Sequence, residues 1–314
     1  MQYIYAILFT GLLFSVSQVF AELTFPMHPQ QVAPNIYALI TPTRDLPNAE
    51  NKGWNSNSAF VVTNSGVLLF DSGSSSAIGG AIKKVIAQIT DQPVRWIINS
   101  HAHGDHWLGN AVFKDTVEAI YATQQVKNKI AEDGQGWVNR FMQMTEGATG
   151  HSEILVPTNI IDQRKTINFG DREGVLFLSG NSHSPGDILL WLKDEKVLIS
   201  GDVIYSDRMP STLDSDLRQW LLLLDELNQL QPDVVIPGHG KVTDLEGVTR
   251  LKNLLQSFWD AVQQGYDKGQ SDFEMVDDVT AALAEYESNY PGLQEKVKRD
   301  ISSVFLQVEA ASFQ

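Results

Sequence analysis

The sequence predicts a mixed α/β (α+β) protein in which two β-sheets are covered by helices within one domain. Three observations carry this reading. From about residue 32, short apolar runs of strand length alternate with turn residues. Among them stand stretches with apolar residues at helical spacing, such as Ile82, Val85, Ile86 and Ile89. From Leu245 to the end the pattern is helical, with breaks near Gly265 to Gly269 and at Pro291-Gly292.

Taken in order, Asn35 to Ile40 and Ala59 to Thr63 read as strands. Asn64-Ser65-Gly66 is a turn signal, and Val67 to Phe70 returns as the second strand of a hairpin. Asp71-Ser72-Gly73 ends that strand, and Ile78 to Ile89 reads as a helix. Val94 to Asn99 is a short, buried-type strand, with a helix expected from Asp105 to Phe113 and another from Thr123 to Met144. Val175 to Leu178, Ile188 to Leu192 and Val197 to Ser200 read as strands, with Asp194-Glu195 turning between the last two. Asp216 to Leu230 is a Leu-rich helix, and Val234 to Ile236 a final strand closed by Pro237-Gly238. Leu251, Leu254, Leu255, Phe258 and Val262 share one helical face, read as core.

A length of 314 residues allows one large domain or two small ones, and 43% hydrophobic residues excludes disorder. The net charge of -15 argues against nucleic acid and anionic membrane surfaces as partners, which need clustered Lys and Arg. Ile4 to Val16 is an uncharged apolar run, and Val19-Phe20-Ala21 has the small residues of a cleavage site. Residues 1–21 therefore read as a signal peptide, cut after Ala21, that sends residues 22–314 to the periplasm or outside the cell. An uncleaved N-terminal anchor is the alternative, because the segment has no Lys or Arg. The sequence contains no cysteine, which excludes disulfides and thiolate ligands.

The chemistry is concentrated in His101-Ala102-His103-Gly104-Asp105-His106, directly after an apolar strand. In an extended loop, residues two apart point to the same side, so His101 and His103 can grip one metal. Asp105 and His106 lie where the chain turns and can face a second metal, with Gly104 allowing the tight turn between the pairs. Of the seven histidines, three fall in this segment. His183, in Gly180–Asp187, and His239, in Pro237-Gly238-His239-Gly240, also follow predicted strands in Gly/Pro loops. Asp202 does the same in Ser200-Gly201-Asp202. Imidazole and carboxylate are the ligands that zinc takes where no cysteine is offered. His28 and His151 read as exposed loop residues.

These motifs resemble the metallo-β-lactamase superfamily, whose pattern is His-x-His-x-Asp-His followed by a His, an Asp and a final His, each after its own strand. The resemblance runs from about Val32 to His239, and Asp71-Ser72-Gly73 matches the family's early Asp-x-Gly. It implies an αββα sandwich of the metallo-β-lactamase fold, with the C-terminal helices, about 245–314, added. It further implies that His101, His103 and His183 hold one metal, that Asp105, His106 and His239 hold a second, and that Asp202 bridges them. Two Zn2+ are expected, with iron or manganese as alternatives at one position. Two cations bracketing a water lower its pKa toward neutrality, and Asp105 is placed to orient that water and carry its proton. The implied activity is hydrolysis of an ester, lactone, thioester or similar bond in a small molecule. β-Lactamase, phosphodiesterase and non-catalytic metal-binding protein are the alternatives. Relatives that reduce oxygen at di-iron sites carry Glu where this chain has His103. Asp202 makes the pattern closer to glyoxalase II and the lactonases than to β-lactamases with Cys or Ser at that position. Gly53-Trp54-Asn55 lies in a loop that flanks the site in such proteins. Trp137, Phe141, Met142 and Met144 read as core, with a pocket wall as the alternative.

Overall fold

The computed structural model describes residues 25–313; the apolar run Ile4 to Val16 and the cleavage point after Ala21 lie outside them. In chain order, the strands and helices begin with β1 (Pro29–Ala33), β2 (Ile36–Leu39), β3 (Ser58–Val62), β4 (Val67–Phe70), α1 (Ser76–Ala87), β5 (Val94–Ile98), β6 (Ala119–Ala122) and α2 (Gln124–Met144). There follow β7 (Asn159–Ile160), β8 (Lys165–Phe169), β9 (Arg172–Leu178), β10 (Ile188–Leu192), β11 (Val197–Tyr205), α3 (Leu217–Gln229) and β12 (Val234–His239). The chain ends in α4 (Leu245–Asp267), α5 (Val276–Ala282) and α6 (Leu293–Ser312).

Strands β1 to β7 form one sheet in sequence order, and a second sheet runs β12-β11-β10-β9-β8. The period of two along each strand explains how they stack. In β4, Leu68 and Phe70 point into the space between the sheets, where Leu190, Ile199 and Ile236 meet them. Val67 and Leu69 point the other way, onto Ile78, Ile82, Val85 and Ile86 of α1. In β10, Ile188, Leu190 and Leu192 face the first sheet, whereas Leu189 and Trp191 lie under a helical layer. That layer packs Trp220 and Leu224 of α3, Leu254 and Phe258 of α4 and Val304 of α6 on the second sheet. The result is the expected αββα sandwich. Strands covered on both faces carry continuous apolar runs, which is why the central ones were legible.

The sequence reading contained no strand at β1, β6, β7 or β8. The outer strands β1 and β8 carry mostly half-buried and exposed residues and need no apolar run, and β6 and β7 are only four and two residues long. The expected helix from Asp105 to Phe113 is also corrected. This stretch is a series of turns with one 3-10 turn at Asn110–Phe113. The reason is competition for backbone groups. The His106 carbonyl accepts from Ser72 N–H, and Gly109 N–H donates to the Gly73 carbonyl, so the α-helical ladder cannot form.

Phe258 is fully buried between α4 and the second sheet. Phe258→Ala is expected to lower stability by about 3–5 kcal/mol. Urea unfolding followed by circular dichroism should show one displaced cooperative transition. Two separate transitions, with only one displaced, would mean that the helical layer folds apart from the sheets.

Candidate metal centre

Parallel pairing brings the ends of four strands to one edge. β4 pairs parallel with β5, and β11 parallel with β12. Asp71 follows β4, the His101–His106 segment follows β5, Asp202 lies within β11, and His239 ends β12. His183 comes from the loop between β9 and β10. Backbone hydrogen bonds join the sheets at this edge, among them Asn57 N–H to the Gly238 carbonyl and Ile188 N–H to the Ser100 carbonyl.

All seven residues expected as ligands meet there. His101, His103, His183 and Asp202 form one group of potential donors, and Asp105, His106 and His239 another, with the donor atoms of each group within 4.8 Å of one another. His103 Nδ1 lies 3.0 Å from His101 Nε2 and 3.2 Å from His183 Nε2. The Asp202 carboxylate reaches both groups. Its Oδ2 is 3.5 Å from His183 Nε2 and 3.2 Å from His239 Nε2, and its Oδ1 is 3.2 Å from His106 Nε2.

The outward nitrogens fix most of the tautomers. His106 Nδ1–H donates to Asp71 Oδ2 at 2.8 Å, and His239 Nδ1–H to the Asn55 carbonyl at 2.8 Å. Ser100 gives its hydroxyl proton to Asp71 and so accepts from His101 Nδ1–H at 2.9 Å. His103 Nε2–H donates to Asp214 Oδ2 at 3.1 Å. In these four rings the other nitrogen faces inward. His106 Nε2 and Asp202 Oδ1 are buried with no hydrogen-bond partner. Tetrahedral zinc with nitrogens at about 2.0–2.1 Å would set them about 3.3 Å apart, close to the separations at His103. The donor set therefore fits metal ions.

The electrostatics agree. Burial holds His183 down to about 3, and burial likewise keeps His101 well below and His239 below the usual imidazole value. These rings stay neutral and can ligate. Burial disfavours the charged form of His106 too, but Asp202, Asp105 and Asp71 outweigh it and raise its pKa to about 10. Burial opposes ionisation of Asp202 and Asp105, yet the surrounding histidines hold both below the usual carboxylate range. A buried volume faced by two ionised carboxylates, Asp202 and Asp105, calls for a cation.

Several supporting residues had no role in the sequence reading. Asp71 adopts φ +59, a strained value, while its carboxylate ties Ser100 to His106. Asp187 accepts from the backbone N–H groups of His183 and Ser184 and pins the loop that carries His183. The Tyr205 hydroxyl donates to Asp202, and its ring stacks on His239 at 5.1 Å. Burial and then Asp202 push that phenol well above its ordinary value, so it remains a donor. The Gly53-Trp54-Asn55 loop does flank the site, through Asn55, whose Nδ2 donates to Asp105 Oδ2 at 2.8 Å; Trp54 is core. Trp137 is 5.7 Å from the His103 ring and, with Asp214, lines a cavity of about 600 Å³. Phe141 is core and Met142 and Met144 pack against it, so the pocket reading holds for Trp137 alone. Gly104 is corrected. Its backbone is not left-handed; a Cβ there would meet the Trp137 side chain at 2.9 Å. His28 and His151 are exposed and belong to neither donor group.

Asp202 depends on two glycines. Gly201 has φ +52, and a Cβ on Gly238 would lie 2.0 Å from Asp202 Oδ1. Gly238→Ala is expected to displace Asp202 and lower bound metal at least about tenfold in apparent affinity, within the range for loss of a group supporting a metal site. Chelator competition measures this, with circular dichroism as the check on fold; unchanged affinity would show that Asp202 does not ligate.

A family model described as the metallo-beta-lactamase superfamily matches residues 51–239. The chain is 25% identical over 289 residues to a linear primary-alkylsulfatase of Pseudomonas sp., covering 77% of this chain and 54% of that protein. It is 36% identical over 105 residues to an acyl-coenzyme A thioesterase of Homo sapiens, covering 32% of this chain and 37% of that one. Among solved structures, the inverting sec-alkylsulfatase Pisa1 from Pseudomonas sp. superposes with a TM-score of 0.68 at 16% identity, over 90% of this chain and 50% of that chain. The chain thus spans about half the length of the two alkylsulfatases. With the αββα sandwich, the two His/Asp groups at its edge and a family match over most of the chain, this protein belongs to the metallo-beta-lactamase superfamily.

Proposed function

We propose that the chain is an exported, metal-dependent hydrolase that uses two zinc ions to cleave an ester, lactone, thioester or similar bond of a small molecule. The observation that carries this reading is the convergence of seven donors in two adjacent groups, with Asp202 reaching both. Zinc in such a site supplies Lewis acidity and lowers the pKa of a water toward neutrality. The remaining chemistry belongs to the chain. Asp105, held ionised and fixed by Asn55, orients the attacking water and accepts its proton. Tyr205 and the outward partners of four imidazoles hold the donors in place, so little reorganisation accompanies reaction. Substrate enters beside His103, against Trp137. A carboxylate at Asp202 favours this reading over a β-lactamase with Cys or Ser there. Hydrolysis of a sulfate ester is the second reading, favoured by the similarity to the primary alkylsulfatase.

Elemental analysis of protein purified without chelator should find about two zinc ions per chain, as a dinuclear hydrolase requires. Activity should appear in a panel of a lactone, a thioester, an aryl ester, an alkyl sulfate, a phosphodiester and a cephalosporin. One metal or none after zinc supplementation, or no turnover of any member by the loaded protein, would overturn the reading. Export is supported by the Ile4 to Val16 run and Val19-Phe20-Ala21. Protein recovered from the native host should begin at Glu22 on N-terminal sequencing, and a chain beginning at Met1 would refute cleavage.

A further inference from the structure

Residues 206–216, between β11 and α3, contain neither helix nor strand. A segment without a ladder of its own must find other partners for its buried backbone groups. Here α6 supplies them. Thr212 N–H donates to Asp300 Oδ2 at 2.8 Å, and the Thr212 carbonyl accepts from Ser303 Oγ at 3.1 Å. Gln307 makes two such bonds. Its Nε2 donates to the Ser215 carbonyl at 2.9 Å, and its Oε1 accepts from Leu217 N–H at 2.8 Å. Asp300, Ser303 and Gln307 stand at i, i+3 and i+7 and so lie along one side of the helix. Beside them Val297, Ile301, Val304 and Val308 pack into the helical layer. Asp300 is 1% exposed, and Arg299 answers its charge while bonding Ser211 Oγ at 2.8 Å. Backbone groups on both sides of Asp214 are thereby fixed.

On its other side this segment touches the metal centre. Asp214 Oδ2 accepts from His103 Nε2–H at 3.1 Å. Asp216 N–H donates at 2.8 Å to the carbonyl of Asn181, in the loop that carries His183. The Asp214 side chain is 62% exposed and has no other hydrogen bond among the described residues. Water competes with an exposed carboxylate for its partner, so a fixed backbone is what keeps Asp214 on the imidazole. The second donor group is held differently. His106 bonds Asp71 and His239 bonds Asn55, and among the described residues neither partner bonds to α6.

We propose that Gln307, Asp300 and Ser303 of α6 are positioning residues of the metal centre. They hold the 211–217 segment, whose Asp214 fixes the His103 ring. In this way they set the affinity of the metal position that His101, His103 and His183 would form, and not that of Asp105, His106 and His239. The C-terminal helical layer then tunes one metal of a pair. The division into two positions rests on the dinuclear reading; the hold of α6 on His103 does not.

The test uses the full chain, loaded with zinc. Chelator competition, read as metal released per chain, is run on wild type, Asp214→Ala, Asp214→Asn, Gln307→Ala and the Asp214→Ala/Gln307→Ala double variant. Asp214→Ala and Gln307→Ala should each weaken one metal at least about tenfold, as loss of a group that orients a ligand does, and leave the other unchanged. Asp214→Asn keeps an acceptor for Nε2–H and should retain more affinity than Asp214→Ala. The double variant should lose less than the product of the two single losses, because both act on one imidazole. Equal weakening of both metals, equal losses in Asp214→Asn and Asp214→Ala, or a fully multiplicative double variant would overturn the proposal. So would a lower melting temperature of Gln307→Ala with unchanged metal affinity, which would make α6 structural only. If Gln307→Ala fails to fold, Ser303→Ala, which removes one hydrogen bond, decides in its place. A second readout does not depend on metal count. Long-range proton–nitrogen NMR spectra of the imidazoles should show His103 Nε2–H protected from exchange in wild type and unprotected in Gln307→Ala. An unchanged His103 signal overturns the proposal whatever the metal content. One metal or none in wild type, with a His103 signal that responds to Gln307→Ala, overturns the dinuclear reading alone.

Discussion

Asp202 is a carboxylate sealed at the junction of two sheets, with histidines and one phenol for neighbours, and a group so placed must have its charge answered. Histidine protons answer it in part, at His106 above all. Yet His101, His183 and His239 are too buried to hold protons near neutrality, which leaves lone pairs and negative charge facing one small volume. Metal cations satisfy both at once. The surrounding features follow from this requirement, because a cluster of ligands lacking its cation repels itself unless the fold holds it.

That restraint is visible residue by residue. Gly238 leaves the space into which Asp202 fits, and Gly201 takes a left-handed backbone close against Ser100. Asp71 accepts a strained backbone so that one carboxylate can anchor both Ser100 and His106. Asp187 folds the His183 loop around its own buried carboxyl, whose pKa burial raises to about 6. Asn55 ties Asp105 to His239 through opposite ends of one residue, its amide and its carbonyl. The strain stays local because the sandwich beneath is packed on both faces of each sheet.

Two cavities of the protein differ in chemistry, and the one at His103 opens on this centre. The one at His103 has Trp137 for a wall, with the Arg140 guanidinium carbon 4.4 Å from its ring centroid. The one at Arg208 is lined by Arg44, Arg208, Lys296 and Arg299 together with Asp45 and Glu295.

The sequence by itself determined the sandwich and the donor set. Central strands buried on both faces show as apolar runs, and ligands delivered by strand ends appear as His and Asp just past those runs, as at Val94 to His106 and Val234 to His239. What it could not determine were relations without a local period. The exposed strand β8 and the two-residue β7 left no pattern, and the turns after Asp105 look helical until Ser72 and Gly73 take their backbone partners. Tyr205, Asp214 and Asn55 gain roles only from what stands across from them in space. Arg208 and Lys296 are far apart in sequence and ordinary as surface cations. Only the packing of α6 on the second sheet puts them in one cavity, because long-range burial, not residue type, decides which charges lose their water.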